Sequence, residues 1–389
     1  MPKQPRDDTP FLHTFYYLTC VEAILYIGLA QAFFAGIIIV TGKPLTLANR
    51  ILATWFLLIS IEMALVLINT NVVALYSLKI LPFTYGPLLY LYALFITTEK
   101  PTFRAPHLLH FIPFIAFAIL SLTLINKPVM RGTEGFLVAD RFISVRIIYA
   151  VSFFISITTY SILTFIVIKK HQKHLKSLVS YTSGNITLQW LLGISITFYL
   201  GYVVMFIFGG IDILMNFMPF DPYEISFIGL TIFAYLFGIF GINQPVIFTD
   251  FLQSKPKSSA PNQQKNNGYV RSGLGKKEAL RIKEMLLKYM NSEKPYLNRE
   301  LSIIDLSEEL SIPRHFITEV INRYLNKNFY MFINEYRVNE VLQRIKDPAN
   351  KDLTLLGIAY DSGFNSKSAF NNVFKKITGH APSHFVKNR

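Results

Sequence analysis

Long apolar runs dominate the first 250 residues and restrict the fold more than any other feature. A helix needs about 20 apolar residues to cross the hydrocarbon core of a bilayer. Seven segments meet this length: 14–40, 49–69, 75–97, 107–125, 142–168, 188–210 and 223–243. Hydrophobic residues make up 52% of the chain and charged residues only 16%, whereas charged residues form about a quarter of an ordinary soluble protein. Residues 1–250 are therefore predicted to form a polytopic membrane helix bundle of about seven spans.

Basic residues in the loops predict the orientation of this bundle, because cytoplasmic loops are rich in Lys and Arg. With seven spans and a cytoplasmic C-terminus, the inside loops are 41–48, 98–106 and 169–187. They contain Lys43, Lys100, Arg104, Lys169, Lys170, Lys173 and Lys176. Loops 70–74 and 211–222, on the other side, have no Lys or Arg, although loop 126–141 is an exception with three basic residues. We expect a multi-pass membrane protein with its N-terminus outside and its C-terminal part in the cytoplasm.

One carboxylate within the apolar runs is a candidate for signal sensing. Glu62 lies near the middle of the second run, where a charge is costly and points to function. A ligand or ion contact and a structural hydrogen bond are both open for it. Glu22, Lys79 and Arg146 lie nearer to helix ends, where side chains can reach the interface.

Signals for metal binding and catalysis are weak or missing in the sequence. His107 and His110 are three residues apart on one helix face, but no third ligand is evident, so we predict no metal site. His171 and His174 belong to a basic loop and are expected on a solvated surface. No Gly-x-Ser-x-Gly, His-Glu-x-x-His or phosphate-binding glycine motif occurs. We therefore predict neither an enzyme nor a cofactor.

The composition changes abruptly after the last apolar run. Residues 251–275 are rich in Ser, Pro, Asn, Gln and Lys, with four basic residues and no acidic one. Such a segment cannot bury enough apolar surface to order itself and predicts a flexible basic linker. Residues 276–389 carry 19 Lys and Arg against 13 Asp and Glu. A basic soluble domain of this kind suits nucleic acid or an anionic membrane surface.

Two short helices joined by a tight turn are predicted near the start of this soluble domain. Ser302-Ile303-Ile304-Asp305 resembles a capping box that begins a helix over Ile303–Leu310. Pro313 then suits the first position of a second helix, because its missing N–H costs nothing there. Apolar residues line one side of that second helix and polar residues the other. This pattern is typical of a helix-turn-helix unit.

The same pattern recurs about 52 residues later, after a long helix predicted over Phe329–Ile345. Gly363 supplies a turn residue that can take a positive φ, and Ser366 is placed to cap the following helix. The outer face of that helix carries Lys367, Ser368, Asn371, Asn372, Lys375 and Lys376. Two such helices could enter successive major grooves of DNA from a single chain.

At these residues the chain resembles the AraC/XylS family of bacterial transcription regulators. The resemblance covers residues 300–387, and Gly363, Phe364, Phe370, Gly379 and Pro382 carry much of its signature. The layout as a whole is similar to regulators of Bacteroidetes-type bacteria that have an N-terminal multi-span membrane region. The fold class is accordingly expected to be all-α: a membrane bundle followed by a soluble AraC-type domain with two helix-turn-helix units. Ser311 and Ser362 depart from the family pattern and leave the geometry of both turns open.

The resemblance also implies which residues contact double-stranded DNA. The base-contacting set would be His315, Thr318, Glu319, Lys367, Ser368, Asn371 and Asn372. Lys and amide side chains match the major-groove edges of bases, and Glu319 could accept from a cytosine amino group. Lys375 and Lys376 would contact the phosphate backbone.

Three functions compete on the sequence alone. The first is a one-component regulator anchored in the bacterial inner membrane, with DNA, the lipid bilayer, RNA polymerase, a small-molecule ligand and a second copy of the chain as partners. The alternative is a transporter or membrane enzyme with a DNA-binding regulatory tail. A structural anchor with a constitutively active DNA-binding domain is the third. Because a flexible linker cannot transmit a rigid rotation, we expect any signal to act through association of two bundles.

Overall fold

The computed structural model describes residues 9–71, 78–124, 136–181, 184–218, 222–244 and 274–386. These residues form two compact units. The first unit contains Met1–Ile168 and Leu188–Val246, and the second contains Lys169–Thr187 and Ile247–Arg389. Helices are the regular structure throughout the described residues, apart from an isolated antiparallel bridge between Val179 and Ser302. The predicted all-α fold class is confirmed.

Long apolar helices form the first unit. They are α1 (Thr9–Thr41), α2 (Leu47–Asn71), α3 (Pro82–Ile96), α4 (Ile112–Thr123, preceded by a 3-10 turn Ala105–Phe111), α5 (Ile143–Leu175), α7 (Gln189–Met215) and α8 (Pro222–Ile242). The short helix α6 (Gly184–Thr187), between α5 and α7, belongs to the second unit. Among the described residues, 6 helical segments are long and apolar enough to cross a membrane. The α3 helix has only 15 residues and is about 22 Å long, shorter than a hydrocarbon core of about 30 Å. The predicted number of seven spans is therefore not confirmed.

Aromatic side chains fill the interior of the first unit. Trp55 on α2 is 1% exposed and packs on Tyr85, Phe198, Phe233 and Phe237, with ring centroids 5.1 to 6.2 Å apart. Many large apolar side chains on the outer helix surfaces stay exposed instead. That distribution suggests insertion into a membrane, because lipid tails can cover such surface.

The position of Arg146 differs from the expectation. Its side chain is fully buried and forms an ion pair with Asp140 at 3.0 Å. It also donates to the carbonyl oxygens of Phe136 and Val138, each at 2.7 Å. Arg146 is therefore held by the chain that precedes α5 and does not extend to an interface, because these acceptors satisfy its guanidinium in place of water.

Within its described residues, the second unit contains seven helices besides α6. They are α9 (Lys276–Ser292), α10 (Ile303–Glu309), α11 (Arg314–Glu319), α12 (Phe329–Lys346), α13 (Leu355–Asp361), α14 (Lys367–Thr378) and α15 (Pro382–Val386). The apolar residues form two separate cores. One contains Phe329, Phe332 and Ile333 from the first half of α12, and the other contains residues from its second half. The α12 helix thus joins two helix-turn-helix units, α10–α11 and α13–α14.

The segment 169–187 was expected to be a solvated loop of the membrane region, but it belongs to the second unit. The last turns of α5 run into it, and Leu175, Leu178 and Val179 are buried in the core of the second unit. His171 is 4% exposed and its Nε2 lies 3.0 Å from the Ile186 carbonyl oxygen, so the solvated position predicted for it is wrong. His174 is exposed, as expected. Three apolar side chains among the lysines explain the difference, since burying them favours docking.

The predicted linker and domain boundaries are mostly beyond what the structure describes. Residues 245–273 lie outside the described residues, so a flexible linker over 251–275 and limits at 250 and 276 stay predictions. At its end, Leu274 packs against the core of the second unit, and Gly275 precedes the first turn of α9.

Candidate nucleic-acid interface

The first helix-turn-helix unit begins at a confirmed capping box. The Ser302 hydroxyl accepts from Asp305 N at 3.4 Å, and the Asp305 carboxylate accepts from Ser302 N at 2.7 Å. After α10, Ser311 takes a left-handed conformation with φ of 53°, at the place where the sequence left the turn geometry open. Pro313 lies just before α11 as its cap rather than at its first position. The turn therefore forms, although its left-handed residue is not glycine.

The outer face of α11 is only partly available. His315 is exposed, whereas Thr318 is half-buried and its hydroxyl donates to the Arg314 carbonyl oxygen at 2.8 Å. The Glu319 side chain is 14% exposed and forms an ion pair with Arg323 at 2.6 Å. The helix has 6 residues and continues as a π-helical turn over Val320–Tyr324. Of the three predicted base-contacting residues on this helix, His315 is the most accessible.

The turn of the second helix-turn-helix unit requires glycine. Gly363 has φ of 94°, and a Cβ added to it would lie 2.2 Å from the Tyr296 carbonyl oxygen. The neighbouring Ser362 is fully buried, and its hydroxyl donates to the Ile358 carbonyl oxygen at 2.8 Å. Phe364 is buried as well and anchors the turn in the second core. The prediction of a positive φ at Gly363 is confirmed.

The α14 helix is well defined at both ends. Ser366 caps its N-terminus by accepting from Ala369 N at 3.2 Å, as predicted, and Gly379 ends it with φ of 79°. Phe370, Val373 and Phe374 are buried beneath it. Its outer residues are all exposed: Lys367, Ser368, Asn371, Asn372, Lys375 and Lys376.

This outer surface of α14 has the chemistry of a nucleic-acid contact. Amide and ammonium groups present donors and acceptors that match base edges in a major groove. Lys375 and Lys376 lie in the last turn of the helix, where the helix dipole also favours cations. The structure thus presents all six predicted residues of α14 on one accessible surface. Whether each contacts DNA stays a prediction.

Sequence reasoning missed a buried residue that lies between the two helix-turn-helix units. Arg337 on α12 is 1% exposed and donates to the carbonyl oxygens of Tyr296, Asn298 and Ser180 at 2.7 to 2.9 Å. Burial lowers the pKa of its guanidinium to about 10, so it remains charged at neutral pH. One signal was available: Arg337 falls four residues after Ile333 and four before Val341, on the buried stripe of α12. No comparable signal pointed to Ser180.

Comparison with known proteins agrees with this geometry. A family profile described as a helix-turn-helix domain matches residues 306–388, which include most of both units. Neither the curated proteins nor the solved structures with which the chain was compared gave a match. The C-terminal domain is therefore an AraC-type helix-turn-helix domain, and the class of protein is a DNA-binding transcription regulator. The match does not extend to the apolar helices.

Proposed function

We propose that this protein is a one-component transcription regulator of the bacterial inner membrane. Its two helix-turn-helix units bind adjacent segments of duplex DNA, and its apolar helices anchor them and sense a signal. The exposed polar face of α14 carries this proposal most directly, because six donor or acceptor side chains lie on one surface above a buried apolar stripe. The α11 helix supplies the second contact through His315.

The membrane location rests on the apolar helices and on the charges between them. Six described helical segments are long enough to span, and the loops predicted to face the cytoplasm carry most of the basic residues. DNA binding requires the C-terminal domain to be cytoplasmic. If α3 does not cross the membrane, the span count is even and the N-terminus is cytoplasmic as well.

Reporter fusions test this topology. A fusion after Arg389 should be active with a cytoplasmic reporter and silent with a periplasmic one. A fusion in loop 211–222 should show the reverse. The same pair of reporters at the N-terminus separates six spans from seven. A C-terminal fusion active only in the periplasm would exclude the proposed function, because the DNA-binding domain could not reach DNA.

Signal sensing is proposed for the region around Glu62. This residue is 5% exposed and its carboxylate accepts a hydrogen bond from the Tyr85 hydroxyl, next to the aromatic cluster of Trp55. Among the described residues, the buried Trp55 Nε1 and Tyr92 Oη have no hydrogen-bond partner. A carboxylate, an indole N–H and a phenol within one aromatic interior suit a small ligand with both polar and apolar parts.

A matched pair of variants tests the role of Glu62. Glu62→Gln removes the charge but retains the shape, whereas Glu99→Gln makes the same change at an exposed position. We expect Glu62→Gln alone to alter transcription of genes whose promoters the wild-type protein occupies, at equal protein level and membrane insertion. The genes are identified by mapping the bound DNA in cells, with and without residues 1–250. Equal transcript levels for both variants in every growth condition would leave Glu62 as a structural hydrogen-bond partner.

A further inference from the structure

The segment Lys176–Tyr181 is built into the C-terminal unit by its backbone. Ser180 N donates to the Leu301 carbonyl oxygen at 3.1 Å, and Ile303 N donates to the Leu178 carbonyl oxygen at 2.9 Å. Tyr330 N donates to the Lys176 carbonyl oxygen at 3.0 Å. These bonds connect the segment to the start of α10 and the start of α12. Main-chain pairing of this kind is how an extended peptide adds itself to a folded domain.

Side chains of this segment, together with the last residue of α5, complete a hydrophobic core. Leu175, Leu178 and Val179 are between 2% and 8% exposed, and they pack in the core that contains Leu286 and Leu306. Removing this apolar surface from water favours the docked arrangement. The six exposed side chains of α14 remain exposed while the segment is docked. Docking therefore leaves that surface open to DNA.

Arg337 links the docked segment to both helix-turn-helix units. Its Nη1 donates to the Ser180 carbonyl oxygen and its Nη2 to the Ser180 hydroxyl, both at 2.9 Å. Its Nε donates to the Tyr296 carbonyl oxygen at 2.8 Å, in the chain just before the first unit. A Cβ on Gly363, in the turn of the second unit, would lie 2.9 Å from the same Nε. Without Ser180, a buried guanidinium would lose two of its acceptors, which is costly.

We propose that Lys169–Tyr181 is a coupling segment, which continues α5 out of the apolar region and, through Ser180 and Arg337, holds the two helix-turn-helix units in one arrangement. The consequence for DNA rests on the proposed function. A signal then has a route along α5 that does not pass through residues 245–273, in place of the bundle association expected from the sequence. Ser180 and Arg337 are positioning residues, since neither is on the DNA-contacting surface.

Two matched serines test the docking itself. Ser180→Ala removes a hydroxyl that donates to the Leu301 carbonyl oxygen at 2.6 Å and accepts from Arg337. Ser177→Ala makes the same change three residues away, where the hydroxyl donates only within its own turn, to the His174 carbonyl oxygen. In the full chain in phospholipid nanodiscs, we expect Ser180→Ala to speed hydrogen exchange at the Ile303 and Tyr330 amides about tenfold or more. Unchanged exchange in Ser180→Ala, or an equal increase in Ser177→Ala, would overturn the proposal.

DNA binding tests the arrangement of the two helix-turn-helix units. The probe is a duplex selected from a random pool with the wild-type full chain, compared with the same duplex after one half is scrambled. If the units are held together, Ser180→Ala should weaken binding to the intact duplex roughly tenfold and to the half-scrambled duplex less than twofold. A purely structural defect would lower the active fraction and leave the ratio of the two affinities unchanged. An unchanged ratio overturns the coupling.

A cross-link provides a second variant in case Ser180→Ala folds poorly. Val179 and Ser302 lie opposite each other in an antiparallel pair, and the hydrogen bonds are made by the residues on either side of them. In such a pair the Cα atoms are about 4.5 Å apart, which is within reach of a disulfide. In a Cys20→Ser background, oxidised V179C/S302C should bind the intact duplex as well as the wild type does. When the same two cysteines are added to Ser180→Ala and oxidised, they should restore the wild-type ratio of the affinities for the intact and half-scrambled duplexes. The reduced protein is the control. Loss of binding on oxidation would show that docking opposes DNA binding and would overturn the proposal. If the wild type enriches no duplex, the proposed function fails, while hydrogen exchange still decides the docking.

Discussion

The two helix-turn-helix units share one long helix but are built differently. The first unit includes α9 and the docked segment in its core, and its turn contains a left-handed Ser311. The second unit closes around its own residues, and its turn contains Gly363. The α11 helix has 6 residues and its Glu319 is paired, whereas α14 has 12 residues and a fully exposed outer face.

This difference assigns different roles to similar elements. The second unit has the features of a rigid DNA-contacting surface, with a glycine turn, a helix capped at both ends and a buried aromatic stripe. The first helix-turn-helix unit is where the chain that follows α5 is docked, so its geometry depends on that segment. We infer that base selectivity lies mainly in α14 and that regulation acts mainly on the first unit.

The largest loss of stability is expected from adding a methyl group to the turn of the second helix-turn-helix unit. Gly363→Ala would place a Cβ against backbone, in a conformation that L-residues avoid, and should destabilise the C-terminal unit by about 3 kcal/mol or more. Ser311→Ala, the equivalent change in the first turn, should cost less than about 0.5 kcal/mol because a Cβ is already present. Pulse proteolysis of the full chain in nanodiscs measures both. Similar losses would mean that the two turns are equally tolerant.

Base selectivity should divide unequally between the two units. Asn372→Ala or Lys367→Ala should cost about 1–3 kcal/mol at particular base pairs, because each removes a donor from an exposed surface. Glu319→Ala should change selectivity less, since its carboxylate is already bonded to Arg323. Lys376→Ala should weaken all sequences about equally, as a phosphate contact does. Competition binding with single-base variants of the selected duplex distinguishes these outcomes. A dominant effect of Glu319 would reverse the assignment.

Acid should weaken the contact between α12 and the chain that connects α9 to α10. Burial alone would raise the pKa of Glu340, but hydrogen bonds from Arg344, Lys294 and Tyr296 lower it below its ordinary value. The folded pKa is the lower one, so this stabilisation is present above the unfolded pKa of about 4.3 and is lost as pH falls through the folded value. Glu340→Gln should cost about 2 kcal/mol at pH 7 and progressively less below pH 4 or so. Unfolding of both proteins across this range, with exposed Glu300→Gln as control, tests the sign. A difference that grows on acidification would contradict it.

The smallest effect is a gain of stability in the first turn. Ser311 is exposed with φ of 53°, a conformation that costs an L-residue about 1 kcal/mol and glycine almost nothing. Ser311→Gly should therefore stabilise the C-terminal unit by about 0.5 kcal/mol, after the greater backbone entropy of glycine in the unfolded chain. The measurement is the same pulse proteolysis as for Gly363→Ala. A loss of stability would show that the Ser311 side chain contributes to the turn.

Local features of the chain were predictable because they depend on near neighbours. The all-α class followed from apolar runs and helical periodicity, the caps at Ser302 and Ser366 from short hydrogen-bonding motifs, and the turn at Gly363 from its freedom to take a positive φ. The outer face of α14 followed from the same periodicity, since a 3.6-residue repeat determines which side chains point away from the core.

Long-range features were decided only by the tertiary structure. Ser180 and Arg337 are separated by 157 residues, and nothing in the sequence around either one specifies the other. The core position of Leu178 and Val179 was hidden among lysines, where short apolar runs carry no periodic signal. Packing of distant segments decided each of these features, because it selects which of many possible partners a buried polar group or apolar side chain meets.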